Sequence, residues 1–184
     1  MQEHYDDKED GISASHGLPA SEYTDWVEKI QRSASVGEEG WGKYLLYLCF
    51  ENDKLVGLLS VRYELPESLT EEIGDIGYGV RPSERNKGYA TTMLRYALSV
   101  CKEKGKDKVL LGCDKDNLPS VAVIKKCGGV LVEENDNYND DGDAETLAPI
   151  THSKNEFGCS SSLAYSFVAI VASLGLAIVI KKKD

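Results

Sequence analysis

The residues best suited to chemistry crowd into one stretch, Ile76-Gly-Tyr-Gly-Val-Arg-Pro-Ser-Glu-Arg-Asn-Lys-Gly-Tyr-Ala-Thr-Thr-Met-Leu94. Arg85 and Lys87 bring two cations to a short polar turn, and Gly88 closes it without a side chain. The residues before the turn read as a strand and those after it as a helix. A helix start presents unpaired N–H groups and the positive end of its dipole. A glycine at that point lets an anion come close to the backbone. The amides of Asn86, Lys87, Gly88, Tyr89 and Ala90, with the charges of Arg85 and Lys87, are therefore suited to cradle a pyrophosphate. An ordinary strand-to-helix connection with solvated cations has the same composition. A Walker A loop is excluded, because Lys87 precedes Gly88 rather than following it and leading into Ser or Thr, and the dinucleotide fingerprint is absent.

Groups that could move protons lie just upstream. Asp75 and Tyr78 fall on the strand, and period-two alternation puts Glu72 on the face of Tyr78. Their plainer roles are an edge-strand charge and a core aromatic. Cys113 has no histidine near it in sequence, and His4, His16 and His152 fall in segments without pattern, as surface residues would. The five cysteines are odd in number and form no CxxC pair. That argues against a disulfide framework or a zinc site and for a reducing compartment. Cys49 and Cys113 sit in apolar runs and read as small core residues. Asn137-x-Asn139-x-Asp141-Gly142-Asp143 has the first half of a calcium loop, but its twelfth position is Ala148 where a bidentate Glu is required. No metal is expected.

These residues need a scaffold, and the periodicities supply one. Ser21 suits an N-cap, and Tyr23, Trp26 and Ile30 recur at helical spacing, so a helix is predicted over Glu22–Ser33. Tyr44–Phe50 reads as a buried strand, Asn52-Asp53 as a hairpin turn and Lys54–Arg62 as its partner strand. A loop over Glu64–Glu71 and a third strand over Glu72–Val80 follow. Ala90, Met93, Leu94, Ala97, Leu98 and Cys101 form one face of a helix over Gly88–Lys104, ended by Gly105. Val109–Cys113 reads as a buried strand, Leu118–Cys127 as a helix and Val130–Val132 as a last strand. The fold class is α/β, or α+β: a mixed, mostly antiparallel sheet flanked by helices.

Taken in order, several of these pieces resemble the GNAT N-acetyltransferase superfamily. They are the strand Asp75–Val80, the Arg-x-x-Gly-x-Ala turn at Arg85, Gly88 and Ala90, the buried strand at Val109, Asn117 after it, and the helix running into Gly128-Gly129. The resemblance spans roughly residues 21–134. It implies acetyl-CoA as cosubstrate, with its pyrophosphate on the amides from Asn86 to Ala90. It also implies a splay between the strand ending at Val80 and the strand starting at Val109. The pantetheine would enter there, and a backbone N–H near Val80 would polarise the thioester carbonyl. Asn117 would contact the cofactor or brace its loop. A primary amine, on a small molecule or a peptide, would attack the thioester directly. Many members carry a Tyr near the position held here by Ile124, and no Tyr occurs between Tyr96 and Tyr138. Asp75 and Tyr78 then become the candidates for proton transfer. The alternative is a catalytically weak protein that binds CoA or serves as a membrane-tethered interaction partner. The family's usual strand before the first helix and its usual closing strand have no counterpart in the pattern.

The flanks differ in character. Residues 1–20 read as irregular and 135–160 as an acidic, polar, disordered linker. Residues 161–184 hold Leu163–Ile180, eighteen uncharged residues stopped by Lys181-Lys182-Lys183. As a helix that run spans about 27 Å, the thickness of a hydrocarbon core. A buried helix and a hydrophobic hairpin are the other readings of it, and the abrupt lysines favour a C-terminal transmembrane helix. The expected setting is a cytoplasmic catalytic domain attached to a membrane through residues 163–180. A net charge of −10 leaves no broad basic face for nucleic acid but suits a cationic substrate. Nothing in the sequence points to an oligomeric state.

Overall fold

A computed structural model of the chain describes residues 2–6, 11–135, 145–151, 166–170 and 177–180. The centre of the fold is a hairpin of β1 (Tyr44–Glu51) and β2 (Lys54–Arg62). Asn52 and Asp53 both take positive φ at its turn, as a two-residue hairpin requires. β1 is apolar on both faces because helices cover both. Tyr44 and Leu46 pack with Trp26 and Ile30 of α2 (Tyr23–Ser35) on one side. Leu45, Tyr47 and Cys49 join the larger core on the other. That core is built on α4 (Tyr89–Glu103), whose Met93, Leu94, Ala97, Leu98 and Cys101 are completely buried against β2 and β3 (Ile76–Val80).

Two sheets result. One has the order β3-β2-β1-β7-β8, with β7 at Ser166–Ile170 and β8 at Ala177–Ile180. The other has the order β4-β6-β5, with β4 at Lys108–Asp114, β5 at Glu133–Asn135 and β6 at Glu145–Thr151. β3 and β4 are therefore edge strands of different sheets. They touch at Asp75, whose N–H donates to the Leu110 carbonyl at 2.7 Å while its carboxylate accepts from the Leu110 N–H at 2.9 Å. Lys106 pairs with the same carboxylate at 2.5 Å. Beyond that pin no ladder joins the two strands among the described residues, and α5 (Leu118–Lys126) stands beside the gap.

The expected elements and the observed ones differ in five places. Residues 67–73, read as loop and strand, form helix α3 (Glu67–Ile73) after Pro66, with Leu69 and Ile73 one turn apart, and β3 begins only at Ile76. The strand expected at Val130–Val132 lies three residues later, because β6 sets the pairing and those three apolar side chains stay exposed. The stretch read as linker contains β6, which pairs along all of β4 and supplies a closing strand the pattern did not reveal. Within the apolar tail the described residues are strands β7 and β8, and β7 pairs with the outer edge of β1. Short apolar runs fit a strand as well as a helix, and an unpaired β1 edge favours the strand. Among the described residues no helix is long and apolar enough to cross a membrane. Finally, two short helical turns fall in the N-terminal segment read as irregular, and its other described residues are turns and bends held by contacts. Gln2–Asp6 is a helical turn, α1. Trp26 donates to the Ser15 carbonyl at 2.8 Å, and His16 stacks on Tyr44 with centroids 4.0 Å apart. His4 is buried, so neither it nor His16 is the surface residue expected. The calcium-like stretch 137–143, His152 and Cys159 lie outside the described residues.

Candidate active site

β3 stops at Val80 because Pro82 follows and opens a short 3-10 turn, Pro82–Glu84. Asn86 and Gly88 then take left-handed φ values of 62° and 88°, which reverse the chain into α4. A Cβ at Gly88 would meet nothing within 4 Å, so the helix entrance opens into free space. That space is a cavity of about 760 Å³. Asn86, Gly88, Tyr89, Ala90 and Thr91 form its floor, and the first N–H groups of a helix have no intrahelical acceptor. The turn and helix start thus present open backbone to this cavity, at the place where the spacing suggested an anion cradle.

The two cations of the turn have different duties. Arg85 lines the cavity, and its Nε donates to the Val80 carbonyl at 3.1 Å, bracing the end of β3. Lys87 is absent from the lining and donates to Glu84 at 2.8 Å. Lys54 holds the other oxygen of Glu84 at 2.5 Å, and the two lysines keep that buried carboxyl below its ordinary range. Tyr89 contributes its backbone, since its ring is buried and its hydroxyl donates to Glu51.

The register of β3 decides which of its amides face the gap. Asp75 accepts from the Arg62 N–H, and Arg81 donates to the Val56 carbonyl at 2.9 Å. Alternate residues of an antiparallel strand bond to the same neighbour. Asp75, Gly77, Gly79 and Arg81 therefore face β2, while the backbone groups of Ile76, Tyr78 and Val80 point away from it. The N–H of Val80 is thereby aimed into the wedge between the sheets.

Tyr78 and Asp75, the two proton-transfer candidates, are separated. Tyr78 lines the cavity, and its hydroxyl lies 2.8 Å from Ser120 Oγ on α5. Burial pushes its phenol up to about 12, against a smaller downward pull from that hydrogen bond. It stays protonated at neutral pH. Asp75 does not line the cavity and is committed to Lys106 and Leu110. Asn117 lines the cavity, and its side chain accepts the Ser120 N–H at 3.1 Å as the cap of α5. Of the two roles expected for it, the bracing one is visible in its bonds. Ile124, near the position where the resemblance implies a tyrosine, is buried and packs against the turn at Gly129.

Several lining residues carried no signal. His4, Gly11 and Ser13 form one wall from a segment about seventy residues upstream of the strand they face. Ser13 lies against β3, and a Cβ on Gly79 would fall 2.9 Å from its carbonyl. Lys126, on the last turn of α5, adds a cation to the opposite wall. Ser120 could have been found, since Asn117-x-x-Ser120 places it in the first turn of a capped helix. Among the described residues no group of three His, Cys, Asp or Glu side chains could hold a metal.

The chain and its fold have known relatives. The model of the acetyltransferase (GNAT) family matches residues 13–129. The fold is similar to that of an N-acetyltransferase from Staphylococcus aureus Mu50, at 19% identity and a TM-score of 0.56, covering 70% of this chain and 74% of that one. It is also similar to yncA, a putative acetyltransferase from Salmonella typhimurium solved with its cofactor acetyl-CoA (16% identity, TM-score 0.51, 62% and 69% covered). A third similar structure is a chimera of the spermidine N-acetyltransferase SpeG from Vibrio cholerae (15% identity, TM-score 0.56, 72% and 81% covered). No curated protein matches the chain.

Proposed function

Because the chain belongs to the acetyltransferase (GNAT) family, we propose that it transfers an acetyl group from acetyl-CoA to a primary amine. The observation that carries this reading is the convergence of the Asn86–Thr91 cradle, the Val80 amide and the Tyr78 hydroxyl on one cavity. The pyrophosphate sits on the helix start. The pantetheine runs along the open side of β3, and the N–H of Val80 donates to the thioester carbonyl as negative charge grows there. One such donor is worth roughly a hundred- to a thousandfold in rate. The neutral amine attacks the carbonyl carbon, the C–S bond breaks, and the electron pair leaves on sulfur. The phenol of Tyr78 gives its proton to that thiolate, and the amine's surplus proton passes to solvent. A positioned acid of this kind contributes about a hundred- to ten-thousandfold.

The net charge of −10 favours a cationic amine as the acceptor. Similar structures include a spermidine acetyltransferase and an α-N-acetyltransferase of ribosomal protein L7/L12. The acceptors to try first are therefore polyamines and peptides with a free N-terminus. The four free cysteines among the described residues fit a cytoplasmic setting.

The test is calorimetry with acetyl-CoA on the full chain, wild type and Gly88→Trp, followed by turnover on that panel. Wild type is expected to bind and turn over. Gly88→Trp fills the open space at the helix entrance and is expected to weaken binding at least tenfold. Equal binding by both proteins would overturn the assignment of the cradle. Binding without turnover on any amine would replace the enzyme by a catalytically weak CoA-binding protein, the outcome that Ile124 at the family's tyrosine position makes worth testing.

A further inference from the structure

We propose that Ser120 is the positioning residue of this site, holding the Tyr78 hydroxyl toward the leaving sulfur and stabilising its oxygen once the proton has gone. The inference rests on Tyr78 being the acid. Tyr78 belongs to β3 and Ser120 to α5, two elements that both border the cavity, and their hydroxyls meet at 2.8 Å. Both residues line the same cavity. Ser120 is itself held, because Asn117 Oδ1 accepts its N–H at 3.1 Å and fixes the first turn of α5. The order of support runs from Asn117 to the Ser120 backbone, and from the Ser120 hydroxyl to the phenol.

A serine hydroxyl has one hydrogen and two lone pairs, so the bond can run either way. When Ser120 donates, the phenol keeps its own hydrogen free to point into the cavity. That hydrogen goes to the sulfur as the C–S bond breaks, and the phenolate left behind retains the Ser120 hydrogen bond. The phenolate then recovers a proton from solvent. Ser120 changes neither its bonds nor its protonation state. A hydrogen bond to an anion is about twice as strong as one to a neutral oxygen, so Ser120 favours the product side of the transfer.

The experiment compares Ser120→Ala, Ser120→Thr and Tyr78→Phe in the full chain. Ser120→Ala is expected to lower kcat about tenfold or more, to leave KM for acetyl-CoA within about twofold, and to move the alkaline limb of the pH profile upward. Ser120→Thr, which keeps the hydroxyl, is expected to restore most of both. A readout that needs no acceptor is the tyrosinate absorbance of Tyr78, taken as the difference from Tyr78→Phe. Its midpoint is expected to rise in Ser120→Ala, because the donor to the phenolate is gone. An unmoved midpoint, or an unmoved kcat in Ser120→Ala, overturns the role of Ser120. Full activity in Tyr78→Phe instead overturns the acid on which that role depends, whatever Ser120→Ala does.

Discussion

Asp75 and Tyr78 lie three residues apart in sequence but serve different purposes, Asp75 just before β3 and Tyr78 at its middle. The carboxylate of Asp75 is buried and already holds Lys106 and the Leu110 amide. Removing one partner of a buried ion pair leaves the other uncompensated, at about 3 kcal/mol or more. Asp75→Asn is therefore expected to lower the melting temperature by several degrees while kcat stays within about twofold of wild type. A large loss of kcat at unchanged stability would instead put Asp75 in the proton path. Tyr78 has the converse profile, since its ring packs against the core but its hydroxyl faces the cavity. Sequence alone could not separate these two, because both were read onto one strand and period-two logic says nothing about what stands opposite.

Among the elements, those whose signal is local were legible. The β1–β2 hairpin announced itself through Asn52-Asp53, and α4 through its apolar face ending at Gly105. The helix read over Leu118–Cys127 is α5, Leu118–Lys126. Apart from α3, the elements missed take their identity from distant partners: β6 from β4 and β5, β7 from the edge of β1, and α1 from the turn after β3. The last of these is held by Glu3. Its carboxylate accepts from Arg81 Nε at 2.7 Å and from Ser83 Oγ at 2.8 Å, bringing α1 beside the cavity that His4 lines. The hydrogen bonds of Arg81, then Ser83, lower the Glu3 carboxyl from 4.5 to about 2. A lowered folded value means that the contribution is complete above about 4.5 and fades as the pH falls toward about 2. Glu3→Gln lacks it at every pH. The difference in melting temperature between wild type and Glu3→Gln is thus expected to shrink with acid, and also with added salt because the pair is partly exposed. A difference that is flat in both would show that α1 is held by something else. If the wall formed by His4 and Ser13 contacts the acceptor, Glu3→Gln should also raise KM for the amine more than KM for acetyl-CoA.

At the scale of the whole molecule, the apolar tail and the wedge decide how the parts behave together. With β7 in place, Tyr47–Phe50 of β1 has a partner on its outer side. Truncation before residue 161 strips that partner and leaves a hydrophobic strand edge in solvent. The truncated chain is expected to aggregate at concentrations where the full chain stays dispersed in detergent-free buffer, as light scattering would record. A truncated chain that disperses while the full chain fractionates with membranes would favour the transmembrane reading of residues 163–180. The wedge has a mechanical consequence. β3 and β4 each end a sheet, so the empty protein carries a seam through its interior, riveted at one end by Asp75, Lys106 and Leu110. Pulled across that seam, the unloaded protein should part there first, at low force. A cosubstrate lying along β3 would stitch the two sheets together, and the same pull would then meet a single resisting body.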